Sequence, residues 1–231
     1  MAREILKRRY LFVLIATVIV FSLGVTLGIL VNETKSRIME KEIATQNMDD
    51  LSLQLQLTYL NFLDLNSSEG CKVMNAALEQ SWKNLATSYG NLIKYKDSFE
   101  ATDEDIRYFE RNDLLNNIRY WLLLKEAKTY CELQDSVAVL FFFSETNCDE
   151  CDSQSQLLEH YKRVFNERFL LFHINMDIGE PMAQILLNQY DINSYPSIVI
   201  GVDKFSGLTG KDALKEEICK RFKYKQPECE K

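Results

Sequence analysis

An uncharged apolar stretch near the N-terminus constrains this chain more than any other feature. Residues 10–31 contain no charged side chain and consist largely of Leu, Val, Ile and Phe. Because a helix rises about 1.5 Å per residue, a helix of this length can cross the roughly 30 Å hydrocarbon core of a bilayer. The sequence therefore predicts a transmembrane helix over residues 10–31.

A cleaved signal peptide is the competing interpretation of this stretch. The apolar region of a signal peptide usually covers about 7–15 residues and ends at a cleavage site between small residues. The stretch here is longer, and the segment from Ser22 to Gly28 contains no Ala-x-Ala-like site. These features favour an uncleaved anchor.

The charges that flank the predicted span indicate its orientation. Four basic side chains precede it, Arg3, Lys7, Arg8 and Arg9. Because positive charge is retained on the cytoplasmic side, we expect residues 1–9 to form a cytoplasmic tail and residues 32–231 to lie outside the cytoplasm. Residues 137–143 form the next apolar run, which is too short to span again. The chain is therefore predicted to be a single-pass membrane protein.

Charge also excludes one class of partner. The formal net charge of the chain is −7, and the N-terminal segment is basic, so the exported body is more acidic than the whole. Nucleic-acid binding requires a basic surface, and we therefore expect no nucleic-acid partner. With 46% hydrophobic residues, the chain has enough apolar surface to bury a core.

Residues 32–134 are predicted to form a helical domain. Apolar residues at helical spacing indicate a first helix over about 33–65, followed by a break at 66–70. A second helix is predicted over 73–96 and a third over 103–130. Between these two helices lies a polar turn, in which Thr102 or Asp103 can cap the third helix.

Six cysteines in an exported body are consistent with an oxidising compartment, where disulfides persist. The second and third helices are similar in length and joined by a short turn, so we expect an antiparallel hairpin. Cys71 then lies at the start of one helix, beside Cys131 at the end of the other. This arrangement predicts a Cys71–Cys131 disulfide, and two unpaired buried thiols are the alternative. Cys219 and Cys229 either form a second disulfide or remain free thiols.

The pattern changes at residue 135. An uninterrupted apolar run over 137–143 is typical of a central strand that is buried on both faces. The elements predicted after it are a helix over 151–166, a strand over 169–175, a helix over 181–190, a strand over 197–202, a turn at 203–204, a short strand near Phe205 and a helix over 211–222. This order predicts an α/β domain over 135–222, with a mixed sheet and flanking helices, followed by a tail at 223–231.

Cys148 and Cys151 form a CxxC motif between the buried strand and the following helix. Two thiols at this spacing can close a disulfide, and the first thiolate is stabilised by free N–H groups and the helix dipole. A CxxC can also be half of a zinc site, which needs two further ligands. The two histidines, His160 and His173, are single and far apart. We therefore expect neither a metal nor another cofactor.

The segment Tyr195-Pro196-Ser197 leads into the next predicted strand. A proline at the start of a buried strand is unusual unless its peptide bond is cis. The order of strand, CxxC, helix, strand, helix and proline loop resembles the thioredoxin family over about residues 135–222. The resemblance implies that Cys148 attacks, that Cys151 resolves, and that Tyr195 and Pro196 pack against the dithiol and hold the substrate backbone.

The motif departs from the family at several positions. Asn147 stands where the family usually has Trp, and Phe142 stands where the family has a buried acidic residue. The residues between the cysteines, Asp149 and Glu150, are acidic. Because nearby carboxylates oppose formation of a thiolate, they raise the thiol pKa and predict a weaker oxidant.

His173 has two interpretations. It alternates with Leu171 on the predicted strand and therefore points toward one face of the sheet. It is either a hydrogen-bonded core histidine or a proton relay beneath the dithiol, where the family often keeps a charged residue.

Two classes of function follow from the resemblance and its departures. The first is a thiol–disulfide oxidoreductase that acts on exported proteins carrying thiols or disulfides and is reset by an unidentified redox partner. Oxidase, reductase and isomerase directions all remain open. The second is a non-catalytic adaptor or binding module, in which the fold binds a partner and the CxxC is structural.

Overall fold

The computed structural model describes most of the chain in two separate units, Met1–Ser52 and Leu53–Lys231. The residues it describes are 12–29, 41, 43–44, 47–48, 51–52, 54–55, 58–59, 65, 67–98 and 101–230. The predicted cytoplasmic tail, the ends of the predicted transmembrane segment and much of the predicted helix over 33–65 lie outside the described residues.

In the first unit, residues Phe12–Ile29 form an apolar helix, α1, with a mean hydropathy of 2.6. Its large side chains are exposed along its length; Phe12 exposes 75% of its surface and Phe21 exposes 71%. This confirms one N-terminal apolar helix. By length and composition α1 could cross a membrane, and a signal sequence would meet the same criterion.

The second unit begins with a pair of long helices, α2 (Ser68–Lys96) and α3 (Asp103–Tyr130). The predicted start of the second helix at residue 73 was wrong, because Ser67 accepts a hydrogen bond from the Gly70 amide and caps the helix five residues earlier. Thr102 caps α3, and its side chain and that of Asp105 form a reciprocal capping box.

The contact between α2 and α3 is unusually polar. The buried residues of α2 recur at alternating spacings of four and three, as Gly70, Met74, Ala77, Ser81, Asn84 and Ser88. Small side chains allow the two helices to approach closely. Beyond the apolar half, the Asp113 carboxylate of α3 accepts hydrogen bonds from Ser88 at 3.1 Å and from the Asn117 amide at 3.0 Å. A carboxylate is therefore buried inside the hairpin.

A disulfide joins the two helices at the opposite end. Cys71 lies in the first turn of α2 and Cys131 is the C-cap of α3, with their Cα atoms 5.6 Å apart. The bond closes a loop of 60 residues. In the chain-entropy model, a loop of this length contributes about 4 kcal/mol to stability. The antiparallel arrangement of the helices therefore has a covalent constraint at the end where its core is smallest.

A four-stranded mixed sheet follows the hairpin and confirms the predicted α/β class. Its strands are β1 (Val137–Phe143), β2 (Phe169–Asn175), β3 (Ser197–Ile200) and β4 (Asp203–Ser206). Their order is β2-β1-β3-β4, in which β1 runs parallel to β2 and antiparallel to β3. The apolar run that predicted a central strand therefore occupies the middle of the sheet.

Helices cover both faces of this sheet. On one face, α4 (Cys151–Phe165) and α6 (Lys211–Arg221) pack against the odd-numbered residues of β1, including Val139 and Phe141. On the other, α3 and α5 (Pro181–Gln189) pack against Leu140 and Phe142. Alternation along one strand thus divides the unit into two cores, and the helical hairpin contributes directly to the second.

The turn predicted at residues 203–204 was wrong. The connection between β3 and β4 consists of Gly201 and Val202, and Asp203 already pairs with Ile200. Gly201 has a φ of +67°, the left-handed conformation that glycine adopts without a steric penalty. Three predicted helices also end one residue earlier than expected, at Phe165, Gln189 and Arg221.

Asp113 makes the stability of this unit dependent on pH. Burial raises the pKa of Asp113 to about 6 from 3.8, against the opposing effects of Ser88, Asn117 and Lys96. Its contribution is fully present below pH 3.8 and is lost as pH rises through the folded pKa. We expect Asp113→Asn to unfold at higher denaturant than the native chain at pH 8, by up to about 3 kcal/mol, and to show no such advantage at pH 4.

Denaturant titrations across this pH range measure the effect. Asp149→Asn is a suitable control, because Asp149 is exposed in a loop. An equal stability difference for Asp113→Asn at pH 4 and pH 8 would show that the buried charge is not responsible.

Candidate dithiol site

Cys148 and Cys151 form a disulfide at the carboxyl end of β1, with their Cα atoms 5.4 Å apart. Cys148 was expected at the start of the helix and Cys151 one turn inside it. Instead, Cys148 lies in the preceding loop and Cys151 is the first helical residue. The difference in burial follows from these positions: Cys148 is half-buried, whereas Cys151 is 4% exposed.

The N-terminus of α4 offers backbone donors to this pair. Glu150 occupies the N-cap position, and its side chain makes no capping hydrogen bond. The first-turn amides of a helix have no partner within the helix, so they favour a nearby anion such as a thiolate. The side chains of Asp149 and Glu150 are exposed, and their negative charges act in the opposite direction.

A polar network fixes the loop between β1 and Cys148. The hydroxyl oxygen of Ser144 accepts hydrogen bonds from the amides of Thr146 at 3.2 Å and Asn147 at 2.9 Å. The carboxylate of Asp177 accepts from the Ser144 hydroxyl at 2.7 Å and from the Glu145 amide at 2.6 Å. It also accepts from the Thr146 amide at 3.1 Å. One carboxylate therefore organises the whole approach to the dithiol.

Asp177 was missed by the sequence analysis. It lies in a 3₁₀ turn, Met176–Ile178, directly after β2. The Asn175 side chain accepts a hydrogen bond from the Asp177 amide, and Gly179 follows with a φ of +71°. The signal in the sequence was the Asn-x-Asp-x-Gly pattern, which is typical of a tight turn. That pattern does not indicate which loop the carboxylate will contact.

The proline loop belongs to the same region. The Tyr195–Pro196 peptide bond is cis, and Pro196 is buried. The Pro196 carbonyl accepts a hydrogen bond from the Gly207 amide at 2.8 Å. Tyr195 packs against the core cluster that contains Cys151 and contacts Cys148. Burial and the Asp177 carboxylate raise the pKa of Tyr195. The dithiol, the proline loop and Asp177 therefore converge on one end of the sheet.

His173 lies further from the dithiol along the same face. It pairs in register with Phe141, and its ring contacts the edges of Phe141 and Phe143. Its Nε2 is 3.9 Å from Glu159, which is two turns beyond Cys151 on α4. Burial lowers the pKa of His173 to about 4, although 34% of its side chain stays exposed. The ring is therefore neutral at physiological pH, and its role as a relay stays a prediction.

The remaining cysteines lie away from the site. Cys71 and Cys131 join the helical hairpin, while Cys219 and Cys229 are bonded with their Cα atoms 5.8 Å apart and attach the C-terminal tail to α6. Within the described parts of the chain, no group of three or more His, Cys, Asp or Glu side chains is placed to hold a metal ion.

No protein-family model and no curated protein matches this chain. Two solved structures resemble part of it. A malarial protein is 21% identical, with a TM-score of 0.33 over 38% of this chain and 98% of its own length. Chloroplastic thioredoxin z is 22% identical, with a TM-score of 0.31 over 37% of this chain and 77% of its own. Both TM-scores are low, so these likenesses give no more than a weak hint of a thioredoxin-like fold.

The role of Asp177 can be tested by amide exchange. Hydrogen bonds from Ser144, Glu145 and Thr146 lower the pKa of Asp177, despite an opposing effect of burial. Its stabilising contribution is therefore present above the ordinary carboxyl pKa of 3.8 and is lost as pH falls through the lower folded value. In Asp177→Ala at neutral pH, we expect the Glu145 and Thr146 amides to exchange roughly tenfold faster by NMR.

Asp212→Ala serves as the control, since Asp212 is exposed in the first turn of α6. If both variants changed the two loop amides equally, or if neither did, the assigned role of Asp177 would be wrong.

Proposed function

We propose that this chain is a membrane-anchored thiol–disulfide oxidoreductase, with a thioredoxin-like domain that acts on exported proteins. The observation that carries the proposal is the unequal burial of a bonded Cys148–Cys151 pair at the N-terminus of α4. The adjacent Tyr195–Pro196 loop supports it, because that loop could hold a substrate backbone beside the reacting sulfur.

The proposed reaction is thiol–disulfide exchange in two steps. The Cys148 thiolate attacks a substrate disulfide, forming a mixed disulfide and releasing one substrate thiolate, which takes up a proton. The Cys151 thiolate then attacks the Cys148 sulfur, which releases the second substrate thiol and closes the Cys148–Cys151 disulfide. Two electrons pass to the substrate. Oxidation of a substrate follows the same steps in reverse, and a partner dithiol or disulfide resets the enzyme.

The environment of the pair sets the roles of its two sulfurs. Cys148 is accessible to a protein substrate, whereas Cys151 can reach only the sulfur beside it. The exposed carboxylates of Asp149 and Glu150 disfavour the Cys148 thiolate relative to a neutral pair. We therefore infer a weaker oxidant than enzymes whose nucleophilic thiol has a strongly depressed pKa.

The anchor is part of the same proposal. The helix α1 exposes its apolar side chains along its length, which is consistent with a lipid environment. The basic side chains before it favour a cytoplasmic N-terminus, and residues 32–231 would then lie outside the cytoplasm.

An adaptor without redox turnover is the second candidate. Phe142 is fully buried in the core on the hairpin side of the sheet. An acidic residue at this position could relay a proton to the resolving thiol, and phenylalanine cannot. This substitution favours a binding role in which the disulfide is structural.

Mixed-disulfide trapping distinguishes the two candidates. We expect Cys151→Ser to accumulate covalent adducts with exported proteins, because Cys148 can attack but no second thiol resolves the adduct. Cys148→Ser should accumulate none, because Cys151 is shielded. The adducts can be counted on non-reducing gels after rapid acid quenching.

The double variant Cys71→Ser with Cys131→Ser is a control for general exposure of thiols, since it leaves the dithiol intact. Adducts in both single variants, or in neither, would contradict the oxidoreductase proposal and favour the adaptor.

The proposed topology makes a separate prediction. A cysteine introduced at Ser98, in the turn between α2 and α3, should react with a membrane-impermeant maleimide in intact cells. A cysteine introduced at Ala2, before the basic cluster, should react only after the membrane is permeabilised. Labelling in the opposite pattern would contradict the proposed orientation, and release of the body from the membrane would indicate a cleaved signal sequence.

A further inference from the structure

A groove of about 1150 Å³ follows one edge of the sheet. Within the described residues, β2 pairs with β1 on one side only, and its other side lines this groove. An edge strand presents a row of unpaired backbone N–H and C=O groups, which can pair with another extended chain. The groove is therefore shaped to accept a strand.

One wall of the groove is apolar. It consists of residues of α2 at alternating spacings of four and three, namely Leu78, Trp82, Leu85, Tyr89 and Leu92. Trp82 exposes 52% of its surface and Tyr89 exposes 58%. Large aromatic side chains of this kind are the residues that most often anchor a protein partner. Their exposure has no role in the hairpin itself, whose seam lies on another stripe of α2.

The opposite wall is polar and mostly acidic. It includes Glu159 and Lys162 of α4 and Glu167, which follows that helix. Lys162 is paired with Glu159 at 3.4 Å. At the rim, Lys96 is paired with Glu110 at 2.7 Å. The basic side chains are thus neutralised locally, and the carboxylates leave the groove with an excess of negative charge.

The two walls correspond to the two faces of β2. Leu170 and Phe172 point to the hairpin side, whereas Leu171 and His173 point to the α4 side. Because side chains alternate along a strand, a strand added to β2 would send every second residue toward each wall. Apolar residues would meet the α2 stripe, and the residues between them would meet the carboxylates of Glu159 and Glu167.

We propose that this groove binds an extended segment of a partner protein, in which apolar residues alternate with Lys or Arg, by adding it as a strand to β2. The negative wall favours such a partner over a second copy of this chain, which would bring 34 acidic against 27 basic residues. The groove reaches Glu145, three residues before Cys148. Binding requires no redox turnover, so it is independent of the proposed exchange reaction.

A fluorescent peptide of nine alternating Val and Lys residues tests this proposal. With the full chain in nanodiscs of zwitterionic lipid, fluorescence anisotropy should show saturable binding. Trp82→Ala and Tyr89→Ala should each weaken binding at least about tenfold. Tyr224→Ala should leave it unchanged, because Tyr224 is 63% exposed but lies outside the groove.

Two altered probes separate the contributions of charge and of backbone pairing. The same peptide with Glu in place of Lys should bind at least about tenfold more weakly. Methylation of alternate backbone amides on the Val-Lys peptide should abolish binding if those amides pair with β2. Equal binding of the native and methylated peptides would overturn strand addition.

Other occupants of the groove give distinct results. A dimer that Trp82→Ala dissociates would assign the groove to a second copy and overturn the proposal. A photocrosslinker in place of Tyr89 that captures this chain's own residues in the presence of the peptide would overturn it as well. Absence of binding by the full chain would have the same consequence.

Discussion

The parallel pairing of β1 with β2 is the interaction on which the candidate site depends. It places the carboxyl ends of both strands at one edge, so that the loop after β1 lies against the turn after β2. Asp177 can therefore accept hydrogen bonds from Ser144, Glu145 and Thr146 and fix the approach to Cys148. The antiparallel pairing of β1 with β3 delivers Pro196 to the same end of the sheet.

The helical hairpin is joined to this sheet through α3, which contributes Leu114, Ile118 and Trp121 to the second core. Its own seam is rich in small and polar residues, and it buries the Asp113 carboxylate. A disulfide at one end compensates for the small apolar contact between the helices. The apolar stripe of α2 that this seam does not use remains available to a partner.

Several features of the site were predictable because they are local in the sequence. The apolar run before Cys148 and the spacing of Cys151 predicted a dithiol between a strand and a helix. The turn at Gly201 and the early start of α2 at Ser68 were missed, because each depends on one short contact that several neighbouring residues could make. Asp177 was missed for a different reason, since its partners are more than thirty residues away.

Local periodicity and motif spacing were thus sufficient to determine the apolar N-terminal helix, the mixed α/β class and the positions of the central strands. These properties depend on the residues of one segment at a time. The tertiary structure alone decided the contacts of Asp177, the pKa of Asp113, the distance of His173 from the dithiol and the groove beside β2. Each of these requires segments distant in the chain to meet, and their meeting depends on packing that no single segment encodes.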